Sequence, residues 1–221
     1  MQTFATPAPI SAVLEVAAGR IRVIAADRAD TTVEILPADP ARSRDVKAAE
    51  RTTVEFADGV LRIRTAGPGN QYLGPSGSLE VTVRLPAGSR VEATTGSCEL
   101  RSAGRLGDVA FEGAYRRIEI EEAASLRLTA VDGDVEVGRL GGPAEISTAR
   151  GSIRIAEATR GRVELRTRAG DVTVGAARGV SAALDARTGH GRVDNALKND
   201  GSTELDIHAT TGQGDITARS L

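Results

Sequence analysis

Apolar and polar residues alternate in short runs along most of this chain, and the runs recur at a nearly fixed interval. Glycines stand at 77, 96, 113, 133, 151, 170, 189 and 212, at intervals of 19, 17, 20, 18, 19, 19 and 23 residues. Two residues beyond them lie Leu79, Cys98, Tyr115, Val135, Ile153, Val172, Gly191 and Gly214. Four beyond them lie Val81, Leu100, Arg117, Val137, Ile155, Val174, Val193 and Ile216. The position between is polar throughout: Glu80, Glu99, Arg116, Glu136, Arg154, Thr173, Arg192 and Asp215. Apolar–polar–apolar alternation is the signature of a strand with one buried face. A second apolar column precedes the glycines by five residues, with Val91, Leu128, Ile146, Leu165, Leu184 and Ile207; at Gly113 that column holds Asp108. Small residues, among them Ala130, Thr148, Thr167, Ala186 and Ala209, precede the glycines by three. Each unit therefore predicts strand, glycine corner, strand and loop in about 19 residues.

A propeller blade needs ~40 residues, and a leucine-rich repeat would show its Leu/Asn pattern. The period instead predicts an all-β fold, a right-handed single-stranded parallel β-solenoid (β-helix) of about ten coils, with strands stacked ~4.8 Å apart. Glycine suits the corners because positive φ costs it nothing. The whole chain, 1–221, is expected to form a single solenoid domain, irregular over 1–88 and regular over 89–221. Val13–Val16 with Gly19–Val23 fits one early coil, and Val54–Phe56 with Gly59–Ile63 fits another. Asp39 before Pro40 predicts a short helix start, and Gly67–Gly77 a loop. These segments are expected to close the first end. The last strand column lies five residues before Leu221, so the C-terminal coil is expected to be the open edge.

Composition narrows the function classes. Lys and Arg number 28 against 30 Asp and Glu, a net charge of −2. This balance argues against a strongly basic nucleic-acid binder. Aromatic residues are 2% with no Trp, too few for a stacking platform for sugars or single strands. No apolar run approaches the ~18 residues of a membrane span. The opening Met1–Ile10 has no basic or apolar leader pattern, which gives a cytoplasmic expectation. The single cysteine excludes an internal disulfide framework.

Several stretches together resemble a known family. They are Phe4–Ile10, Ala25–Glu34, Leu85–Arg90, Thr188–Leu197 and the closing Gly214–Thr217. The chain is similar across essentially its whole length to the actinobacterial β-strand-repeat proteins of a domain-of-unknown-function family commonly labelled "putative adhesin". The resemblance implies a right-handed β-solenoid, supplies no catalytic or ligand residues, and suggests surface attachment.

The most enzyme-like feature is the acidic pair Glu145 and Glu164, which the repeat sets in one outward column with Arg127. Two carboxylates ~5–5.5 Å apart serve retaining glycosidases. With Arg166 nearby and no insertion to build a cleft, a solvated charge ladder is the favoured reading. Asp134, Ser152 and Asp171 follow corner glycines, with His190 and Gln213 expected in the same column. This column lacks the repeated acidic consensus of a calcium site and reads as polar corner residues bonded to backbone. His190 and His208 fall on different parts of a coil, and Cys98 reads as a buried, inert thiol. The coil at 107–122 breaks the pattern. It places Phe111, Tyr115, Arg116 and Arg117 together as the candidate interaction surface.

The chain is accordingly expected to be a non-catalytic scaffold without metal or organic cofactor. It would engage a protein partner or another copy through the C-terminal edge coil, and neither nucleic acid nor membrane. A carbohydrate-binding or carbohydrate-active solenoid using Glu145 and Glu164 is the alternative, and a cell-surface adhesin the third reading.

Overall fold

The structure, a computed structural model, describes residues 1–65, 77–113 and 117–221. Among them it is a β protein with one short helix. The chain divides into two compact units, Met1–Tyr115 and Arg116–Leu221.

The first unit comprises β1 (Gln2–Ala5), β2 (Ser11–Ala26), β3 (Asp30–Pro37), α1 (Ser43–Glu50), β4 (Thr52–Ala57), β5 (Val60–Thr65), β6 (Leu79–Pro86) and β7 (Arg90–Gly113). Strand β2 is its centre. The first half of β2 pairs in parallel with β5 on one side and β7 on the other, Leu14 lying between Ile63 and Ala93. Its second half pairs likewise with β6 and β7, Ile21 lying between Val81 and Leu100. Gly19 makes the corner between the halves with φ of 135°, where a Cβ would fall on the Leu79 carbonyl oxygen. Leu14, Ile21, Ile63, Val81 and Leu100 are buried. The coil that comes first in the chain is thus second in the stack, outside it lying the coil of β5 and β6.

That outer coil is covered. β4 runs antiparallel beside β5, β3 antiparallel beside β6, and β1 antiparallel beside β3. Val54–Phe56 and Gly59–Ile63 are therefore the two arms of a hairpin, where a coil was expected. Asp58 and Gly59, with φ of 51° and 74°, suit a tight two-residue reversal, which matches strand twist and turns the chain back on itself. The helix starts at Ser43, not Pro40. Asp39 instead closes a turn ahead of it, accepting the Ala41 N–H at its Oδ1 (3.0 Å). The buried Asp45 of α1 accepts the Ser78 N–H (3.0 Å), tying the helix to the start of β6. Of the expected loop Gly67–Gly77, residues 67–76 lie outside the described residues.

β7 winds back over its own beginning. Gly107 N–H donates to Ser89 O (2.9 Å), and Gly88 N–H to Arg105 O (2.8 Å). Val109 and Phe111 are thereby turned into the core. An expected column through Asp108 misses this alternation by one residue, which swaps the two faces.

The second unit contains β8 (Ile118–Asp132), β9 (Val135–Leu140), β10 (Ala144–Arg150), β11 (Ile153–Ala158), β12 (Gly161–Ala169), β13 (Val172–Ala176), β14 (Ala182–His190), β15 (Val193–Ala196), β16 (Leu205–Gln213) and β17 (Ile216–Ser220). Its described ladders are parallel. One runs β8–β10–β12–β16–β14, the other β9–β11–β13–β17–β15. Leu128, Ile146, Leu165, Ala209 and Ala186 form one inward column, and Val135, Ile153, Val172, Ile216 and Val193 another.

The C-terminal coil is thus not the edge. β16 lies between β12 and β14, and β17 between β13 and β15, so the coil before the last in the chain is outermost. Burial accounts for this order. β16 and β17 bring Leu205, Ile207 and Ile216, each at most 1% exposed. The corresponding positions of β14 and β15 hold Ala182, Leu184 and Val193. The coil with more apolar surface takes the place with two neighbours.

The corners expected at Gly189 and Gly212 lie at Gly191 and Gly214, with φ of 155° and 143°. Substituting Gly170, whose Cβ would strike the Gly151 carbonyl, by Ala is expected to cost at least about 3 kcal/mol, combining backbone strain with overpacking. Gly179→Ala, at positive φ but with open space around it, should cost only about 1 kcal/mol. Urea unfolding of the two variants compares them directly.

Candidate functional site

Two outward features of the second unit carry its chemistry, and both are built on hydrogen-bonded corners. Just after each corner glycine a side chain accepts a backbone N–H from the next coil. Asp134 Oδ1 accepts from Ser152 (2.8 Å), Ser152 Oγ from Asp171 (3.2 Å), Asp171 Oδ1 from Asp215 (2.8 Å) and Asp215 Oδ1 from Arg192 (2.8 Å). His190 and Gln213 pair with each other just before the corner glycines Gly191 and Gly214 and are not in this column. Inside the corner, threonines donate to glycine carbonyls: Thr167 to Gly151 (3.0 Å), Thr211 to Gly170 (2.9 Å) and Thr188 to Gly214 (2.9 Å). Every acidic corner residue is thus engaged with backbone. Among the described residues, no group of three or more His, Cys, Asp or Glu is placed to hold a metal ion.

The first feature is a charged column on the outer face of β8, β10, β12, β16 and β14. In spatial order it reads Arg127, Glu145, Glu164, His208 and Asp185. The structure brings Glu145 and Glu164 into register on neighbouring strands. Both are enclosed by arginine. Glu164 bonds Arg162 Nε (2.8 Å) and Arg166 Nη2 (2.7 Å), while Glu145 lies 3.8 Å from Arg127 and 3.9 Å from Arg166. Partial desolvation would raise the Glu164 carboxyl. The guanidiniums of Arg162 and then Arg166 outweigh it and hold the group below the usual carboxylate range. A carboxylate kept ionised in this way is poorly suited to protonate a leaving group. His208 Nε2 lies 2.9 Å from Asp206 Oδ2, and Nδ1 3.7 Å from Asp185 Oδ2.

The second feature is the edge coil itself. Among the described residues, β14 pairs with β16 alone and β15 with β17 alone. Val193 is 46% exposed, while Ile153 and Val172 in the same column are 0% exposed. Leu184 is half-buried, and Asp185, Arg187 and every residue of β15 are exposed. Unpaired strand edges are templates for further strands.

Of the surface expected from Phe111, Tyr115, Arg116 and Arg117, the structure describes Phe111 and Arg117. Phe111 is buried, 3% exposed, and belongs to the core. Tyr115 and Arg116 lie outside the described residues. Arg117 is exposed and bridges Glu119 (2.8 Å) and Glu136 (2.7 Å), which are register partners and would otherwise repel. Cys98 lies in the core, where burial pushes its thiol up to about 12 against lowering hydrogen bonds from Thr95 and the Ser97 backbone. Which coil lies outermost has no local signal in the sequence; what could have been read is the two-residue displacement of the last corners. A visible signal was the run Thr148-x-x-Gly151, Thr167-x-x-Gly170, Thr188-x-x-Gly191 and Thr211-x-x-Gly214, which sets the true register.

The Toastrack DUF4097 family matches residues 12–220. The chain belongs to that family. No curated protein matches it. A crystal structure from Bacteroides fragilis, described as a "putative adhesin", is 15% identical, covers 98% of this chain and 95% of its own, and superposes with a TM-score of 0.57. A Clostridium sporogenes structure, described as a "putative cell adhesion protein", is 12% identical over 100% and 98% of the two chains, with a TM-score of 0.43. A Parabacteroides distasonis structure, described as a "putative lipid binding protein", is 12% identical over 98% and 95%, with a TM-score of 0.38. At these identities the Bacteroides fragilis protein is a likeness of fold alone. No helix among the described residues is long and apolar enough to cross a membrane.

Thr211→Val, which removes the donor to the Gly170 carbonyl, is expected to cost about 1–3 kcal/mol, whereas the exposed Thr210→Val should change little. Arg166→Gln should move the Glu164 titration upward toward its ordinary value, read by NMR across the acid range. A lowered folded-state value means that Glu164 contributes stability at neutral pH and loses it as pH falls through the carboxylate range. In Arg166→Gln that acid-side loss should be smaller.

Proposed function

We propose that this chain is a non-catalytic scaffold, a right-handed β-solenoid of about ten coils that binds a protein strand along its open coil edge. The observation that supports this is the contrast between the outer coils of the two units. In Met1–Tyr115 the coil strands β5 and β6 are each covered by an antiparallel neighbour. In Arg116–Leu221 the coil of β14 and β15 has a partner on one side only, among the described residues, and leaves Val193 in contact with water. A strand added there gains main-chain hydrogen bonds along the whole edge and covers the half-open core. The outward charged column offers carboxylates already paired with arginine, which leaves little for a small substrate to engage.

The test is site-specific photocrosslinking in the native cell. A photoreactive phenylalanine analogue at Val193 is expected to capture protein, while the same probe at Arg127 on the charged column should capture markedly less. Equal capture at both positions, or none at Val193, counts against the edge. Glycan binding abolished by Glu145→Gln and Glu164→Gln would replace this reading with a carbohydrate-directed one.

A further inference from the structure

The occupant of the edge is legible from the residues that line it. Resting on the reading of β14–β15 as a protein-binding edge, we infer that the partner is a second copy of this chain, its β14 pairing antiparallel with the first about a two-fold axis through Ala186. Around that residue the strand reads Leu184-Asp185-Ala186-Arg187-Thr188. In an antiparallel pair centred on Ala186, each residue faces its mirror position. Asp185 of each copy then faces Arg187 of the other, Leu184 faces Thr188, and the two small Ala186 side chains meet at the axis. Two opposite-charge cross-strand pairs follow from one symmetry operation.

Both charged groups are exposed and held within the chain only by long ion-pair contacts, which a facing copy can replace with shorter ones. Within the chain, Asp185 lies 3.7 Å from His208 Nδ1 and 3.8 Å from Arg187 Nε, both beyond hydrogen-bond reach. The Arg187 side chain is 80% exposed. An edge built to refuse its own copy carries like charges that meet across the axis. Here the charges alternate in sign about a small central residue, so self-pairing sets attraction in place of repulsion. A head-to-tail copy finds no equivalent edge on β5 or β6, which β4 and β3 occupy.

Analytical ultracentrifugation of the full chain over a concentration series tests the inference. The wild-type chain is expected to form a concentration-dependent dimer. Arg187→Glu and Asp185→Lys should each weaken it by about tenfold or more, because each sets like charges face to face. The charge-swapped double variant Asp185→Arg with Arg187→Asp should restore the dimer, since the facing pairs are again opposite; circular dichroism of that variant controls for folding. A wild-type chain that remains monomeric, or a dimer indifferent to all three changes, overturns the inference. A monomeric chain whose Val193 probe captures other proteins overturns the self-pairing while leaving the strand-binding edge in place. A monomeric chain whose probe captures nothing overturns both.

Discussion

The structure depends on one constraint, that successive coils stack in register so that each inward side chain lies directly over its counterpart. Parallel pairing brings Leu128, Ile146 and Leu165 into one line and Val135, Ile153 and Val172 into another. Each fully buried aliphatic side chain contributes about 1.5–3 kcal/mol, and the outward ion pairs contribute far less at their exposure. Register also makes the other features additive. The same stacking that aligns valines aligns the corner glycines, the threonines that bind their carbonyls and the aspartates that accept the next N–H. A slip of one residue would exchange the buried and exposed faces, so every layer reinforces the same alignment.

Coil order follows from the same energetics. In both units the coil nearest the chain terminus is not the outermost one: β2 lies inside β5 and β6, and β16 with β17 lies inside β14 with β15. A terminal segment held by neighbours on both sides has twice the ladder to break before it frays. The two units then differ in how they treat the displaced outer coil. One covers it with the β4 hairpin arm and β3. The other leaves it bare, with its less apolar residues outward. That difference leaves β14 and β15, among the described residues, with one strand neighbour each.

Much of the fold was written in local pattern. The alternation around Gly133, Gly151 and Gly170 specified strands, corners and their register directly, because each of those coils repeats at 18 or 19 residues and pairs with its chain neighbour. The pairing of Glu145 with Glu164 followed for the same reason. Two segments misled. Near Gly189 and Gly212 a second glycine two residues later gave two possible corners, and only the Thr-x-x-Gly spacing distinguishes them. At 58–59 an Asp-Gly pair between alternating runs suits either a coil corner or a hairpin reversal. Phe111 was displaced from its place in the core because the strand before Gly113 runs one residue out of step with the other coils.

By itself, then, the chain's order of residues determined that it would fold as glycine-cornered parallel coils, which side chains would face inward in the regular region, and that its charges would form exposed ladders. Those are properties of neighbouring residues and a fixed period. Only the tertiary structure decided which coil would lie beside which, that the C-terminal strands would be enclosed, and that β14 and β15 would be left at the edge. A strand's sequence specifies its two faces, but its two edges are the same backbone. The choice of neighbour at each edge is settled by comparing the apolar area that competing coils would bury, and that comparison exists only when all of them are assembled.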